Sequence, residues 1–266
     1  MRGETFRRVV QAIPAIAFAV VIVAEGGLVF ALGVVAVGVV CMHELYRMMR
    51  RARPIDLAGF LALAALCLTA LYGRRSQLVM VLAFSLLVTL LLALVRKRRR
   101  GVAWGIAATM LGTVWIGLAM AHAVLLRQLP HGGALVLDTL IGTFIGDTSA
   151  YFGGRAWGRR PLAPRISPNK TVEGLICGIA GGAFAFWLFG LAYQHEWFHG
   201  TDRLVIGLAV ACVAPLGDLF ESLVKRDLGV KDTGRLFGAH GGALDRLDAV
   251  LFSAVAAYYV SVAVLR

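Results

Sequence analysis

The stretch QLVMVLAFSLLVTLLLALVRKRRR, residues 77–100, decides the fold class. Its first part, 77–95, carries no charged side chain. As a helix that run spans about 30 Å, the thickness of the hydrocarbon layer of a bilayer. It stops at five consecutive basic residues, Arg96, Lys97, Arg98, Arg99 and Arg100. An uncharged span ending in a basic cluster reads as a membrane helix with its topology and anionic-lipid anchor. Working outward, eight more apolar stretches fall at 9–24, 27–43, 56–72, 102–126, 134–152, 172–193, 203–221 and 247–265. Only helices and closed barrels satisfy their backbone in lipid, and continuous apolar runs of this length indicate helices. The sequence therefore predicts an all-α, polytopic integral membrane protein of about nine transmembrane helices.

The whole chain agrees with that stretch. Its 266 residues are 59% hydrophobic and 16% charged, with a mean hydropathy of +0.78. A soluble domain carries about 25% charge, and a disordered chain is polar. Both classes are excluded. The net charge of +12 would suggest nucleic acid on a soluble protein. Its distribution argues otherwise. With the N-terminus in the cytoplasm, the predicted cytoplasmic segments hold 22 of the 27 basic residues. That is the positive-inside asymmetry of a multi-pass protein of the cell membrane, and no nucleic-acid partner is expected. The N-terminal segment is read as an uncleaved first span. Cys41, Cys67, Cys177 and Cys212 all lie in apolar segments and read as small buried hydrophobes.

The basic run also divides the chain. Residues 1–100 form a plain set of spans one to four, and 101–266 hold spans five to nine with the polar loops. Gly174, Gly178 and Gly182 on span seven, and Gly142, Gly146 and Ala150 on span six, have the small-residue spacing of closely packed helices.

Six of the 15 acidic residues fall between 218 and 248. Asp218 and Glu221 end one apolar helix, and Asp245 and Asp248 begin the next. Each pair shares one helix face. Carboxylates at such positions are costly and functional. Oxygen-only ligation by two such pairs suits a hard divalent cation, Mg²⁺ or Mn²⁺. The connecting loop offers Lys225, Arg226, Lys231, Arg235 and Arg246 among Gly229, Gly234, Gly241 and Gly242. Ammonium, guanidinium and bare backbone amides are the groups that hold phosphates. Three of the four lysines of the chain, Lys170, Lys225 and Lys231, lie in its two long hydrophilic stretches.

The other stretch, 153–171, contains Arg155, Ser167, Lys170 and Thr171. Ser167-Pro168-Asn169 reads as a turn leading into a helix start, a phosphate seat beside Lys170 and Thr171. Asp147 precedes it and either binds metal or orients Arg155 or Lys170. His240 reads as a general base or a turn histidine, and His43-Glu44 as an interfacial polar pair.

These residues resemble a family. The segment Ser222–Asp248, with Lys225-Arg226, Lys231-Asp232 and His240-Gly241-Gly242-Ala243-Leu244-Asp245-Arg246-Leu247-Asp248, resembles the signature of phosphatidate cytidylyltransferases, the CDP-diacylglycerol synthases. Gly217-Asp218 and the block from Ser167 to Gly174 fit as well. One departure is that Gly238-Ala239 stand where the family has Pro-Gly. The resemblance implies a membrane-bound nucleotidyltransferase of phospholipid biosynthesis that converts CTP and phosphatidic acid to CDP-diacylglycerol and pyrophosphate. It implies Mg²⁺, a second cation such as K⁺, a homodimer, and a site facing the cytoplasm and the membrane lipid. Asp218, Asp245 and Asp248, with Glu221, would serve the metal. Lys225, Arg226, Lys231 and Arg246 would hold phosphates, joined by Ser167, Lys170, Thr171, Arg155 and His240. On the same scaffold, a CTP-dependent polyprenol kinase or CDP-archaeol synthase is the alternative, and a transporter of an anionic solute is a further one.

Overall fold

The computed structural model describes residues 2–96, 100–194, 200–234 and 241–264. Among these there are nine helices and one short hairpin. Helices α1 (Arg2–Glu25), α2 (Gly27–Met48), α3 (Asp56–Tyr72), α4 (Gln77–Val95) and α5 (Val102–Arg127) come first. Helix α5 includes a π-helical turn, Thr113–Gly117. Then follow α6 (Gly132–Trp157), the strands β1 (Pro161–Ala163) and β2 (Ser167–Thr171), α7 (Val172–Gln194), α8 (Gly200–Asp227) and α9 (Leu244–Val264). Each of the nine apolar stretches forms one helix.

Helices α2, α4, α5, α7, α8 and α9 are long and apolar enough to cross a membrane. Ile13–Glu25 and α3 are shorter apolar helices. Helix α6 carries Asp138 and Asp147 within it. The surface is that of a membrane protein. On α4, Val79 is 70% exposed and Leu94 and Val95 are each 81% exposed. Such a face is unfavourable against water and natural against lipid.

The helices pack as two compact units. The first holds α1–α5 and the segment Asp232–Asp245. Its core is built on Met42, Leu45, Leu63, Leu66 and Ile116, all fully buried. The second holds Leu129–Lys231, which covers α6–α8 and the hairpin, together with α9 from Arg246 onward.

In the second unit the glycine pattern does what its spacing predicts. A Cβ on Gly182 would lie 2.8 Å from the Gly142 carbonyl oxygen, and one on Gly178 would lie 3.1 Å from that of Gly146. Without those methyls, α6 and α7 meet backbone to backbone.

One local expectation is corrected. Ser167-Pro168-Asn169 is part of β2, which pairs antiparallel with β1 in the register Pro161↔Thr171 and Ala163↔Ser167. The turn lies earlier, with Ile166 N–H donating to the Ala163 carbonyl at 3.0 Å. Proline is tolerated in a strand at a sheet edge, where its missing N–H breaks no ladder. A two-stranded ribbon has only edges.

Candidate active site

In the second unit three carboxylates converge. Asp218 and Glu221 stand one turn apart on α8, and Asp248 stands in the first turns of α9. Carboxylate oxygens of the three lie within 4.8 Å of one another. Glu221 is 1% exposed and Asp248 7% exposed. Gly217 makes the approach possible, because a Cβ there would run into the Asp248 carbonyl oxygen. Asp248 Oδ1 accepts from the Ala249 N–H at 2.8 Å, and the Ser222 hydroxyl donates to Asp218 Oδ1 at 3.4 Å. Like charges held this close in a partly buried place repel strongly unless a cation is among them. Three carboxylate oxygens at this separation are a ligand set for a hard divalent cation.

Two lysines flank the cluster. Lys170, from β2, forms an ion pair with Asp218. Lys225, one turn after Glu221 on α8, pairs with it at 2.5 Å. The side chains of Lys170 and Asp218 also line a cavity of about 540 Å³. Asp147, Tyr151, Arg155, Asn169 and Thr171 line it too. Gly142, Gly146 and Gly178, where α6 and α7 meet backbone to backbone, line it as well. Pro215 lies in α8 less than one turn before Asp218 and lines the same cavity. Lacking an N–H, it leaves out the helical hydrogen bond to the Ala211 carbonyl.

The hairpin is fastened where it meets this cavity. Glu173, at the start of α7, accepts from the backbone N–H groups of Arg159 at 3.0 Å and Arg160 at 3.1 Å. It also pairs with the Arg160 side chain at 3.0 Å. Thr171 Oγ1 accepts from the Gly174 N–H at 3.1 Å and so caps α7. Arg226 Nε donates to the Ile166 carbonyl at 3.2 Å, tying the end of α8 to the hairpin turn. Arg155 donates to the Tyr151 hydroxyl at 3.2 Å. Lys231 is exposed.

Asp245 belongs to the first unit, with different surroundings. Its Oδ2 accepts from the Thr233 N–H at 3.0 Å, the Thr233 hydroxyl at 2.9 Å and the Gly242 N–H at 2.7 Å. Beside it is Glu44, from the end of α2. Glu44 is 6% exposed and accepts from Ala243 N–H at 3.0 Å and Leu244 N–H at 2.9 Å. The Thr233 hydroxyl also reaches Glu44 Oε2, at 3.1 Å. A Cβ on Gly242 would collide with the Glu44 carboxylate.

Sequence reasoning missed this role of Glu44, which it treated as an interfacial polar group. The signal was there: a lone carboxylate one turn before the end of an apolar helix needs donors. Of the other anticipated residues, Arg246 is exposed on α9, Ser167 is half-buried in β2, and His240 lies outside the described residues, as does Arg235.

The chain is similar in sequence to known proteins. The model of the cytidylyltransferase family matches residues 6–264, nearly the whole chain. A phosphatidate cytidylyltransferase of Mycobacterium leprae is 42% identical over 154 residues, 57% of this chain and 48% of its own. One from Mycobacterium bovis is 38% identical over 160 residues, 58% of this chain and 50% of its own. The chain therefore aligns with about half the length of these relatives. One from Bacillus subtilis is 32% identical over 238 residues, 87% of this chain and 88% of its own.

Proposed function

This chain belongs to the cytidylyltransferase family, and on that premise we propose that it is a phosphatidate cytidylyltransferase, making CDP-diacylglycerol and pyrophosphate from CTP and phosphatidic acid. The observation that carries the proposal is the cluster Asp218, Glu221 and Asp248 with Lys170 and Lys225, beside a cavity of about 540 Å³ in a membrane-embedded unit.

The chemistry fits those groups. A phosphate oxygen of phosphatidic acid forms a bond to the α-phosphorus of CTP, and the bond from that phosphorus to the bridging oxygen of the β-phosphate breaks. The nucleophile is already an anion, so no general base is needed. The obstacle is repulsion between two polyanions, which fixed cations remove. In this reading the three carboxylates hold Mg²⁺, and a second cation such as K⁺ accompanies it. Bound Mg²⁺ supplies neutralisation of phosphate charge and a fixed template for the oxygens. Lys170 and Lys225 sit at the edge of the cluster, each paired with one of its carboxylates, and in this reading supply positive charge for the substrate phosphates. Thr171 keeps its hydroxyl proton for a phosphate oxygen while its lone pair caps α7. Arg226 holds the hairpin that carries Ser167 and Lys170. Arg155, Lys231, His240 and Arg246 are assigned to the substrate phosphates. Asp245 orders the loop ahead of α9. The full topology in this reading is nine spans with a cytoplasmic N-terminus, as a homodimer in the cell membrane, with the site at the cytoplasmic face.

The test is turnover of labelled CTP by detergent-purified protein with phosphatidic acid and Mg²⁺. Wild type is expected to form CDP-diacylglycerol only with Mg²⁺. Asp218→Asn is expected to lose at least about 100-fold in rate while staying folded. Retained activity in a folded Asp218→Asn protein sinks the metal assignment. No product from folded wild type with this lipid sinks the substrate assignment.

A further inference from the structure

We propose that a second cavity, in the first unit, binds the phosphate headgroup of an anionic phospholipid and holds it without chemistry. The cavity measures about 360 Å³ and is lined by Arg53, Arg96 and Arg100 together with Ile55, Ala93 and Val102. Gly101 and Gly105 complete it, so its described lining holds no carboxylate, hydroxyl or thiol. Three arginines among the residues that line a recess, with no acid among those described, favour an anion. Guanidinium matches the oxygen geometry of phosphate better than an ammonium does.

The arginines are also positioned. Arg96 donates from Nη1 to the Arg53 carbonyl at 2.8 Å and from Nη2 to the Pro54 carbonyl at 2.9 Å. Those bonds fix the plane of the guanidinium and leave three of its five N–H donors. Arg53 itself holds φ at 57°, the left-handed region that a non-glycine residue adopts at a cost. Gly101, at φ +78°, precedes the first turn of α5, whose amides add a weak positive end to the recess.

The surroundings favour a lipid over a soluble anion. The apolar wall continues into Ala58, Leu92 and Ile106, which pack with Ile55 and Ala93. Outside, the last turn of α4 presents Leu94 and Val95 almost fully to the surroundings, where acyl chains would lie. Trp104, 73% exposed in the first turn of α5, is the residue type that marks the headgroup layer. A basic recess at headgroup depth, with an uncharged helix leading away from it, fits one molecule with a phosphate and a hydrocarbon tail.

The experiment is native mass spectrometry of the full chain in mild detergent with added phosphatidylglycerol, phosphatidylcholine or inorganic phosphate. Wild type is expected to retain phosphatidylglycerol and not phosphatidylcholine. The double variant Arg53→Gln/Arg100→Gln leaves the Arg96 anchor in place and is expected to bind phosphatidylglycerol about 30-fold more weakly. Should the double variant melt early, Arg100→Gln alone is expected to show about a fivefold loss. Asp218→Asn is expected to retain the lipid fully, which separates this site from the proposed active site. Equal retention of phosphatidylcholine, unchanged affinity in the folded variants, or displacement of the lipid by an equimolar amount of inorganic phosphate overturns the proposal.

Discussion

Among the described residues, two clusters of partly buried acids, one in each unit, have opposite surroundings. In the first unit, Glu44 and Asp245 are ringed by donors: the N–H groups of Thr233, Gly242, Ala243 and Leu244, and the Thr233 hydroxyl between them. In the second, Asp218, Glu221 and Asp248 face one another, with Lys170 and Lys225 at the edge. Backbone amides satisfy a carboxylate and leave nothing over, so the first group fastens a loop. Carboxylates turned on each other are destabilised until a cation joins them, and in the proposed reading the second group holds one. Asp245 and Asp248 make the point most directly. They are three residues apart and chemically identical, yet the first sits among donors and the second among acids.

The largest effect follows from that contrast. Asp248→Asn is expected to lower turnover about 1,000-fold while its melting temperature stays level or rises, because one of three repelling charges is gone. Asp245→Asn should do the reverse. It replaces an acceptor of three hydrogen bonds with a group that is half donor, at a cost of about 2 kcal/mol. That corresponds to a fall of about 4–8 °C in melting temperature, with activity per folded molecule reduced less than tenfold. Thermal melts and turnover on the same preparations check both variants. If Asp245→Asn were as inactive as Asp248→Asn and equally stable, the two groups would not differ in kind.

Gly217→Ala sharpens the comparison from the packing side. The added methyl meets the Asp248 carbonyl oxygen, so α8 and α9 must move apart. If the carboxylates share a cation as proposed, a shift of about 1 Å between them is expected to cost about 100-fold in turnover, with no charge altered. An activity near wild type would mean that the separation of α8 and α9 does not set the site. Measuring rate against Mg²⁺ concentration tells the two outcomes apart, since a spread ligand set needs more cation.

Much of this was legible in the sequence, for physical reasons. Membrane helices announce themselves because lipid demands long uncharged runs, and each of the nine stretches became one helix. The pair Asp218 and Glu221 was visible because a carboxylate is expensive at the end of an apolar helix. What spacing could not tell was which acid of the second pair would join them. The i, i+3 relation puts Asp245 and Asp248 on one face of α9, but the donors around Asp245 come from Thr233 and Gly242, one of them 12 residues away. The role of Glu44 was hidden for the same reason, since its partners lie about 200 residues on. The hairpin was missed because Ser167-Pro168-Asn169 has turn chemistry, and only pairing with Pro161–Ala163 makes it a strand.

Glu44→Gln isolates the fastening role in the first unit. An amide keeps the shape but exchanges one acceptor for a donor, which then faces a backbone N–H. Leaving one buried donor without an acceptor costs about 1–3 kcal/mol, so a fall of a few degrees in melting temperature is expected. Turnover per folded molecule should change only a few-fold. A loss as large as that of Asp248→Asn would place Glu44 in the chemistry rather than in the scaffold.

The smallest effect tests how the hairpin is tied within the second unit. Arg226 donates from Nε to the Ile166 carbonyl, and both groups are near the surface. An exposed charge-assisted bond contributes about 1 kcal/mol or less. Arg226→Gln should therefore leave the melting temperature almost unchanged. Its consequence is local. The hairpin carries Lys170, which pairs with Asp218 and in the proposed reading meets a substrate phosphate, so loosening its turn lowers the fraction of molecules with Lys170 in place. A two- to fivefold rise in KM for CTP with kcat nearly constant is the expected signature. Were Arg226 itself on a phosphate in the transition state, kcat would fall instead, and by far more. The split between KM and kcat thus decides whether this arginine acts through the hairpin or on the substrate.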